Sequence, residues 1–181
     1  MKYNLKYIKA VLYVAATSYA LAFFTYLNKL IRNESNNIYM TLAYILLLVS
    51  FGILTYATFK HAIYNNKDED ISPTHNITSR PGIFGYSILS LYFMLALLLP
   101  FGLYFNYYYV FALLGYTLLG FGEIAGVYLL CIFYICSIIT TFYYVHTKHI
   151  DIDIFALLSK IGLIIYFGTY GYISFTKNYI K

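Results

Sequence analysis

The chain has 181 residues, of which 61% are hydrophobic and 10% are charged, and its formal net charge is +5. A soluble domain carries about a quarter charged residues, so 12 Lys and Arg with 7 Asp and Glu cannot cover a compact fold of this size. Disorder is also excluded, because a disordered chain combines low hydrophobicity with high charge. The composition therefore indicates an integral membrane protein, and the scattered basic residues form no clustered face for a nucleic acid.

The apolar runs predict α-helices as the membrane-spanning elements. Each run continues for about twenty residues, whereas the strands of a membrane β-barrel alternate apolar and polar residues. A helix also pairs its own backbone N–H and C=O groups, which hydrocarbon requires. We therefore predict an all-α fold, a polytopic transmembrane helix bundle in which residues 1–181 form one integral membrane domain with six spans.

Two apolar runs and a polar loop make up the first half of the chain. The runs cover about residues 8–27 and 38–63. Residues 20–22 read Ala-Leu-Ala, as in a signal-peptide cleavage site, but the apolar sequence continues beyond them, so an uncleaved first span is favoured. Residues 65–82 contain several charges and two prolines, which disrupt a continuous helix. We predict a surface loop there.

The second half contains one apolar run that is too long for a single span. Between residues 107 and 146 the sole charged residue is Glu123. As one helix this run would extend about 60 Å, twice the ~30 Å thickness of the hydrocarbon core, so the chain must turn back. Glycines on both sides of Glu123 offer the turn. The last four spans are therefore predicted at 83–104, 107–121, 124–144 and 152–175. The fourth is short for a crossing, and a re-entrant hairpin is the alternative there.

Lysine and arginine residues set the expected orientation, because cytoplasmic loops are enriched in them. With the N-terminus in the cytoplasm, six spans place eight basic residues inside, three outside, and Lys160 within the last span. We therefore predict that both termini and the 65–82 loop are cytoplasmic. The inner residues are Lys2, Lys6, Lys9, Lys60, Lys67, Arg80, Lys177 and Lys181, and the outer residues are Lys29, Arg32 and Lys148.

Ionisable residues within apolar sequence are candidates for a substrate or ion pathway. Glu123 would suit a proton-coupled or cation-coupled transporter if it were buried; alternatively, it ends a cytoplasmic hairpin and is solvated. Lys160 would bind an anionic group or pair with Asp153, or extend its amine to the membrane interface. A transporter should bring Glu123 and Tyr116 together with hydroxyl groups around a central cavity. The hydroxyl candidates are Thr17, Ser18, Ser87, Ser90, Ser137 and Thr140.

Small residues at helical spacing are candidates for close helix packing, because a missing side chain lets two backbones approach. His146 and His149 have a spacing compatible with one metal ion, but polar residues that end a helix are the favoured interpretation. No metal, cofactor or catalytic residue is predicted. The helix-packing candidates are Ala16, Ala20, Gly122, Gly126, Gly168 and Gly171.

Two resemblances to known families bear on function. Asp68 and Asp70, followed by Arg80, resemble the first aspartate-rich loop of UbiA-type membrane prenyltransferases, which would imply Mg²⁺ and a diphosphate. That family's four-residue spacing between aspartates and its second aspartate-rich loop are missing here. Six spans in 181 residues also resembles the layout of the substrate-capture subunits of vitamin-uptake transporters, and the Ala-x-x-x-Ala of the first span resembles their small-residue coupling face.

Three functions follow from these features. The first is a non-catalytic accessory or assembly subunit of a larger membrane complex, whose partners would be the lipid bilayer and other membrane subunits or a second copy. The second is a small transporter or substrate-binding membrane module, and the third is a lipid-modifying enzyme that uses the 65–82 loop. A subunit should be a dry bundle, a transporter should enclose a polar cavity, and an enzyme should gather its acidic residues over a cleft open to lipid.

Overall fold

The computed structural model describes residues 5–32, 38–64, 79–98, 107–149 and 151–179. Within these ranges every regular element is an α-helix, and five helices are long and apolar enough to cross a membrane. The prediction of a helical membrane bundle is therefore confirmed. The helices are α1 (Leu5–Ile31), α2 (Ile38–Tyr64), α3 (Arg80–Leu98), α4 (Tyr109–Gly120), α5 (Gly126–Lys148) and α6 (Ile154–Tyr179).

The helices follow the apolar runs, with the largest differences in the middle of the chain. α3 begins at Arg80, and Pro81 is tolerated there because the first turn of a helix does not need its missing N–H. The structure describes α3 as far as Leu98, so the end of the predicted third span lies outside the described residues. α4 has 12 residues and is about 18 Å long, which is shorter than the ~30 Å hydrocarbon core.

The six helices form a closed ring. Each helix packs against its neighbours in the chain, and α6 packs back against α1. Neighbours run antiparallel: Lys160 of α6 contacts Thr141 near one end of α5, and Gly171 contacts Tyr128 near the other. α1 begins and α6 ends on the same side of the ring, which we call the termini face. The opposite side, where α1 ends and α6 begins, is the far face.

The turn between α4 and α5 lies on the termini face and is built on Gly122. Its φ of +82° falls in the left-handed region, which glycine enters without steric cost. The backbone N–H groups of Gly122 and Glu123 donate to the carbonyls of Leu119 and Leu118 at 2.9 and 2.8 Å. These bonds satisfy carbonyl groups that the end of a helix would otherwise leave without a partner.

Five fully buried tyrosines fill the centre of the ring, and we call them the tyrosine core. A buried phenol needs a partner for its hydroxyl group. The hydroxyl groups of Tyr19 and Tyr86 form a hydrogen bond of 3.1 Å between α1 and α3. The hydroxyl group of Tyr116 forms a hydrogen bond with that of Tyr134 at the edge of the core. The core thus combines the packing area of aromatic rings with hydrogen bonds between helices. Its members are Tyr19, Tyr86, Tyr116, Tyr166 and Tyr170.

Glycines allow the closest approaches between helices. A Cβ atom at Gly126 would meet the carbonyl oxygen of Gly115, so α4 and α5 touch through their backbones. A Cβ atom at Gly162 would meet the hydroxyl of Ser18, which brings α6 against α1. The sequence did not single out Gly115 or Gly162. Among the helix-packing candidates, a Cβ atom at Gly171 would come within 2.9 Å of the Tyr128 ring, and a Cβ atom at Gly168 would meet nothing within 4 Å. Ala16 is buried and Ala20 is half-buried.

Candidate binding cavity

A cavity of about 310 Å³ lies inside the ring, and all six helices contribute to its wall. Half of the residues in the wall are aromatic, namely Tyr26, Phe51, Tyr92, Phe93, Tyr108, Tyr109, Tyr116, Phe133, Tyr134 and Tyr144. Polar groups interrupt it at Thr25, Ser137, Thr140, Thr141, Ser159 and Lys160. Small and aliphatic side chains complete it at Ala22, Leu47, Ala156 and Leu163.

The cavity belongs to the far half of the bundle. Its wall comes from the ends of α1, α3 and α5 and from the beginnings of α4 and α6, all of which lie toward the far face. The hydrogen-bonded pair Tyr116 and Tyr134 forms its floor, and the rest of the tyrosine core lies beneath this pair. The cavity is half-open, and its wall reaches Tyr144 and Ala156 near the helix ends.

Lys160 is the charged residue in this wall. Its ammonium group donates to the hydroxyl oxygen of Thr141 at 3.0 Å. Thr141 can accept this bond because its own proton is donated to the carbonyl oxygen of Ser137 at 2.8 Å. Within the described ranges no carboxylate lies within ion-pair distance of the Lys160 ammonium, although Asp153 is close enough to interact with it electrostatically. An ammonium group has three donors, so two remain for a ligand.

The hydroxyl groups in the wall divide into donors and acceptors. Thr25 and Thr140 donate to carbonyl oxygens of their own helices at 2.9 and 2.8 Å, so they offer the cavity lone pairs. Ser159 is only 4% exposed and makes no hydrogen bond within the described part of the chain. Its hydroxyl group is therefore free to donate into the cavity. Lys160 and Ser159, adjacent in α6, therefore have two N–H groups and one O–H group that can donate to a ligand.

Two further lysines lie above aromatic residues of the cavity wall. The Lys29 ammonium lies 5.9 Å from the centre of the Tyr26 ring, and the Lys148 ammonium lies 4.9 Å from the centre of the Tyr144 ring. Both are cation–π contacts. Together with Lys160, they place three ammonium groups around the far end of the cavity, and Asp151 and Asp153 on the same face carry opposing charges.

The residues considered for a substrate or ion pathway separate into two groups. Tyr116 and Lys160 line the cavity, as do Ser137 and Thr140. Glu123 is exposed in the turn on the termini face and does not belong to the cavity wall. Thr17, Ser18, Ser87 and Ser90 also lie outside the wall.

The residues considered for other chemistry do not form a second site among the described residues. Asp68 and Asp70 lie outside the described ranges, and Arg80 is exposed at the start of α3. His146 and His149 are exposed near the end of α5. In the ranges that the structure covers, no group of three or more histidine, cysteine or acidic side chains is placed to hold a metal ion.

Sequence reasoning identified Ser137 and Thr140 but missed Thr141 and Ser159, the hydroxyl groups next to Lys160, although a signal for them exists. Ser137, Thr140 and Thr141 recur on one face of α5 at helical spacing, and Ala156, Ser159 and Lys160 do so on α6. In a membrane helix, a stripe of small and hydroxyl-bearing side chains marks either close helix packing or a polar cavity. The sequence does not show that these two stripes face each other.

Comparisons of the chain with protein-family models, with curated proteins and with solved structures find no match. The cavity and its side chains are therefore the basis for inferring a function.

Proposed function

We propose that the chain is a membrane module that captures a small molecule in the cavity of its far half. The observation that carries this proposal is the half-open cavity of about 310 Å³, in which a few polar groups interrupt an aromatic wall. Ligand sites commonly have this composition, because apolar walls supply contact area and a few polar groups fix the ligand's orientation. An accessory subunit that only packs against partners would not need such a space.

The positions of the basic residues support uptake as the direction of capture. The positive-inside rule assigns the termini face to the cytoplasm, so the cavity would face the outside. The tyrosine core closes the route from the cavity floor to the termini face. Release toward the cytoplasm would therefore need a rearrangement of the helices, which an energising partner could drive. Association with other membrane subunits is compatible with this function and belongs to the same proposal.

A cavity-filling substitution tests capture. Ala156 is half-buried in the cavity wall, so we expect Ala156→Phe to occupy the cavity and to reduce ligand binding at least tenfold. Ala125, which is exposed in the turn on the termini face, provides the matched control Ala125→Phe. Native mass spectrometry of each purified protein measures the small molecules it retains, and thermal shifts with a panel of small aromatic compounds measure binding directly.

Both variants should elute from gel filtration as the unmodified chain does. Retention of small molecules by the unmodified chain and by Ala125→Phe, together with their loss from Ala156→Phe, is the expected result. Equal binding by the two variants would contradict capture in this cavity. Protein subunits that stay with the chain in the same mass spectra would identify the partner.

A further inference from the structure

We propose that the captured molecule is a small acid, with one carboxylate on a flat apolar body, and that Lys160 and Ser159 hold the carboxylate. This inference rests on the proposed capture function and names the ligand's chemical class. It follows from three features of the cavity, namely its free donors, its charge, and the size and composition of its wall.

The hydrogen-bond donors of Lys160 and Ser159 favour a ligand that carries acceptor atoms. Lys160 has two N–H groups and Ser159 has one O–H group that no acceptor within the described residues satisfies. A carboxylate has two oxygen atoms and about four lone-pair sites, so it can accept from both side chains at once. Hydrogen bonds between charged groups are shorter and stronger than neutral ones. A ligand without an acceptor would leave these donors unsatisfied inside an aromatic wall.

The charge around the cavity also favours an anion. Lys29 and Lys148 lie above the rings of Tyr26 and Tyr144 and add to the positive charge of Lys160. Asp153 partly offsets this charge, but its carboxylate accepts the backbone N–H of Ala156 at 3.0 Å at the start of α6. Aromatic walls on their own also bind cations. Here the ammonium group inside the wall would repel a cationic ligand.

The dimensions of the cavity limit the body of the ligand. A volume of 310 Å³ corresponds to about ten water molecules, at roughly 30 Å³ each. This lies at the small end of ligand pockets, so the part of a ligand that the cavity encloses is about the size of one small ring with its substituent. Phe93 and Phe133, which pack edge to face with their ring centres 5.3 Å apart, and the other aromatic side chains of the wall offer apolar ring surface to the body of a ligand. A carboxylic acid with a single aromatic ring matches these limits.

Three probes with the same aromatic body test the inference. They are phenylacetate, phenylacetamide and phenethylamine, which carry a carboxylate, a neutral amide and an ammonium group. Isothermal titration calorimetry on the full chain in detergent measures the dissociation constant of each. We expect phenylacetate to bind at least tenfold more tightly than phenylacetamide, and phenethylamine to bind more weakly than either.

Substitutions of Lys160 and Ser159 then test whether these two side chains bind the carboxylate. Lys160→Met should reduce phenylacetate binding to the level of phenylacetamide, with little effect on phenylacetamide itself, and Ser159→Ala should reduce phenylacetate binding severalfold. Lys60→Met is the matched control, because Lys60 is exposed near the end of α2, away from the cavity. Gel filtration confirms that each variant is folded.

The outcomes separate the ligand class from the capture function. If Ala156→Phe abolishes binding of the probes but phenylacetamide binds as tightly as phenylacetate, the cavity captures a ligand and the inferred class is wrong. If phenylacetate binding survives Ala156→Phe, capture in this cavity is itself wrong. Failure of phenylacetate to bind at 10 mM, a concentration roughly ten times a millimolar dissociation constant, also overturns the inference.

Discussion

Tyr170 differs from its neighbours in the tyrosine core, because its hydroxyl group has no hydrogen-bond partner within the described residues. Tyr86 and Tyr19, by contrast, share a hydrogen bond. A buried polar group without a partner loses its bonds to water and gains none in return. Removing an unpaired hydroxyl group therefore removes this free-energy penalty, whereas removing one hydroxyl group of a hydrogen-bonded pair leaves the other unpaired and introduces the penalty.

We therefore expect Tyr170→Phe and Tyr86→Phe to change stability in opposite directions. Tyr170→Phe should leave stability unchanged or raise it by about 1 kcal/mol, and Tyr86→Phe should lower it by about 1–3 kcal/mol because it leaves the Tyr19 hydroxyl unpaired. Thermal unfolding of both variants in the same detergent measures the difference. A comparable loss of stability in both would show that the Tyr170 hydroxyl has a partner in solution.

Helix α6 depends on glycine at one position and not at another. A Cβ atom at Gly162 would collide with the hydroxyl of Ser18 and come within 3.1 Å of its Cβ, whereas a Cβ atom at Gly168 meets nothing within 4 Å. The two positions lie in one helix and differ in what faces them. Their contrast therefore isolates the packing of α6 against α1 from the helix propensity of glycine.

We expect Gly162→Ala to destabilise the chain by about 1–3 kcal/mol through overpacking. Gly168→Ala should be neutral or should stabilise by up to about 1 kcal/mol, because alanine favours the helix more than glycine. Melting temperatures in detergent compare the two. Adding Ser18→Ala should recover part of the loss in Gly162→Ala, and no recovery would mean that the strain arises elsewhere.

The sequence predicted the helices better than the contacts between them. Apolar runs and the ~30 Å thickness of hydrocarbon fix the number and approximate position of helices. Which faces meet is not encoded in the spacing of small residues within one helix, so Gly168 was singled out and Gly162 was not. Lys160 and Tyr116 were recognisable as polar groups in apolar sequence. Ser159 was not, because its importance arises only when α5 and α6 place it in the cavity wall.

Up-and-down packing of the ring places the two ends of α4 on opposite faces of the bundle, so we expect them on opposite sides of the membrane. Tyr107, before α4, belongs to the far face, and Ala125, after it, belongs to the termini face. Both are exposed and accessible to labelling. A re-entrant α4, which its length of 12 residues would otherwise suggest, would instead bring both positions to the same side.

Single cysteines test this arrangement in intact cells. In a background with Cys131→Ser and Cys136→Ser, we expect Tyr107→Cys and Asp151→Cys to react with a membrane-impermeant maleimide from outside. Ala125→Cys should react only after permeabilisation, because positive residues assign the termini face to the cytoplasm. Labelling of Tyr107→Cys and Ala125→Cys from the same side would exclude a crossing by α4, and the inverse of the expected pattern would reverse the orientation.

The short fourth helix also affects the surrounding lipid. Tyr107 and Phe121, at its two ends, are 85% and 80% exposed, and the 12-residue helix between them covers only about 18 Å. Acyl chains beside α4 must therefore shorten or tilt, while those beside the longer helices need not. We expect this uneven hydrophobic mismatch to give the protein a preferred side for thin or disordered lipid.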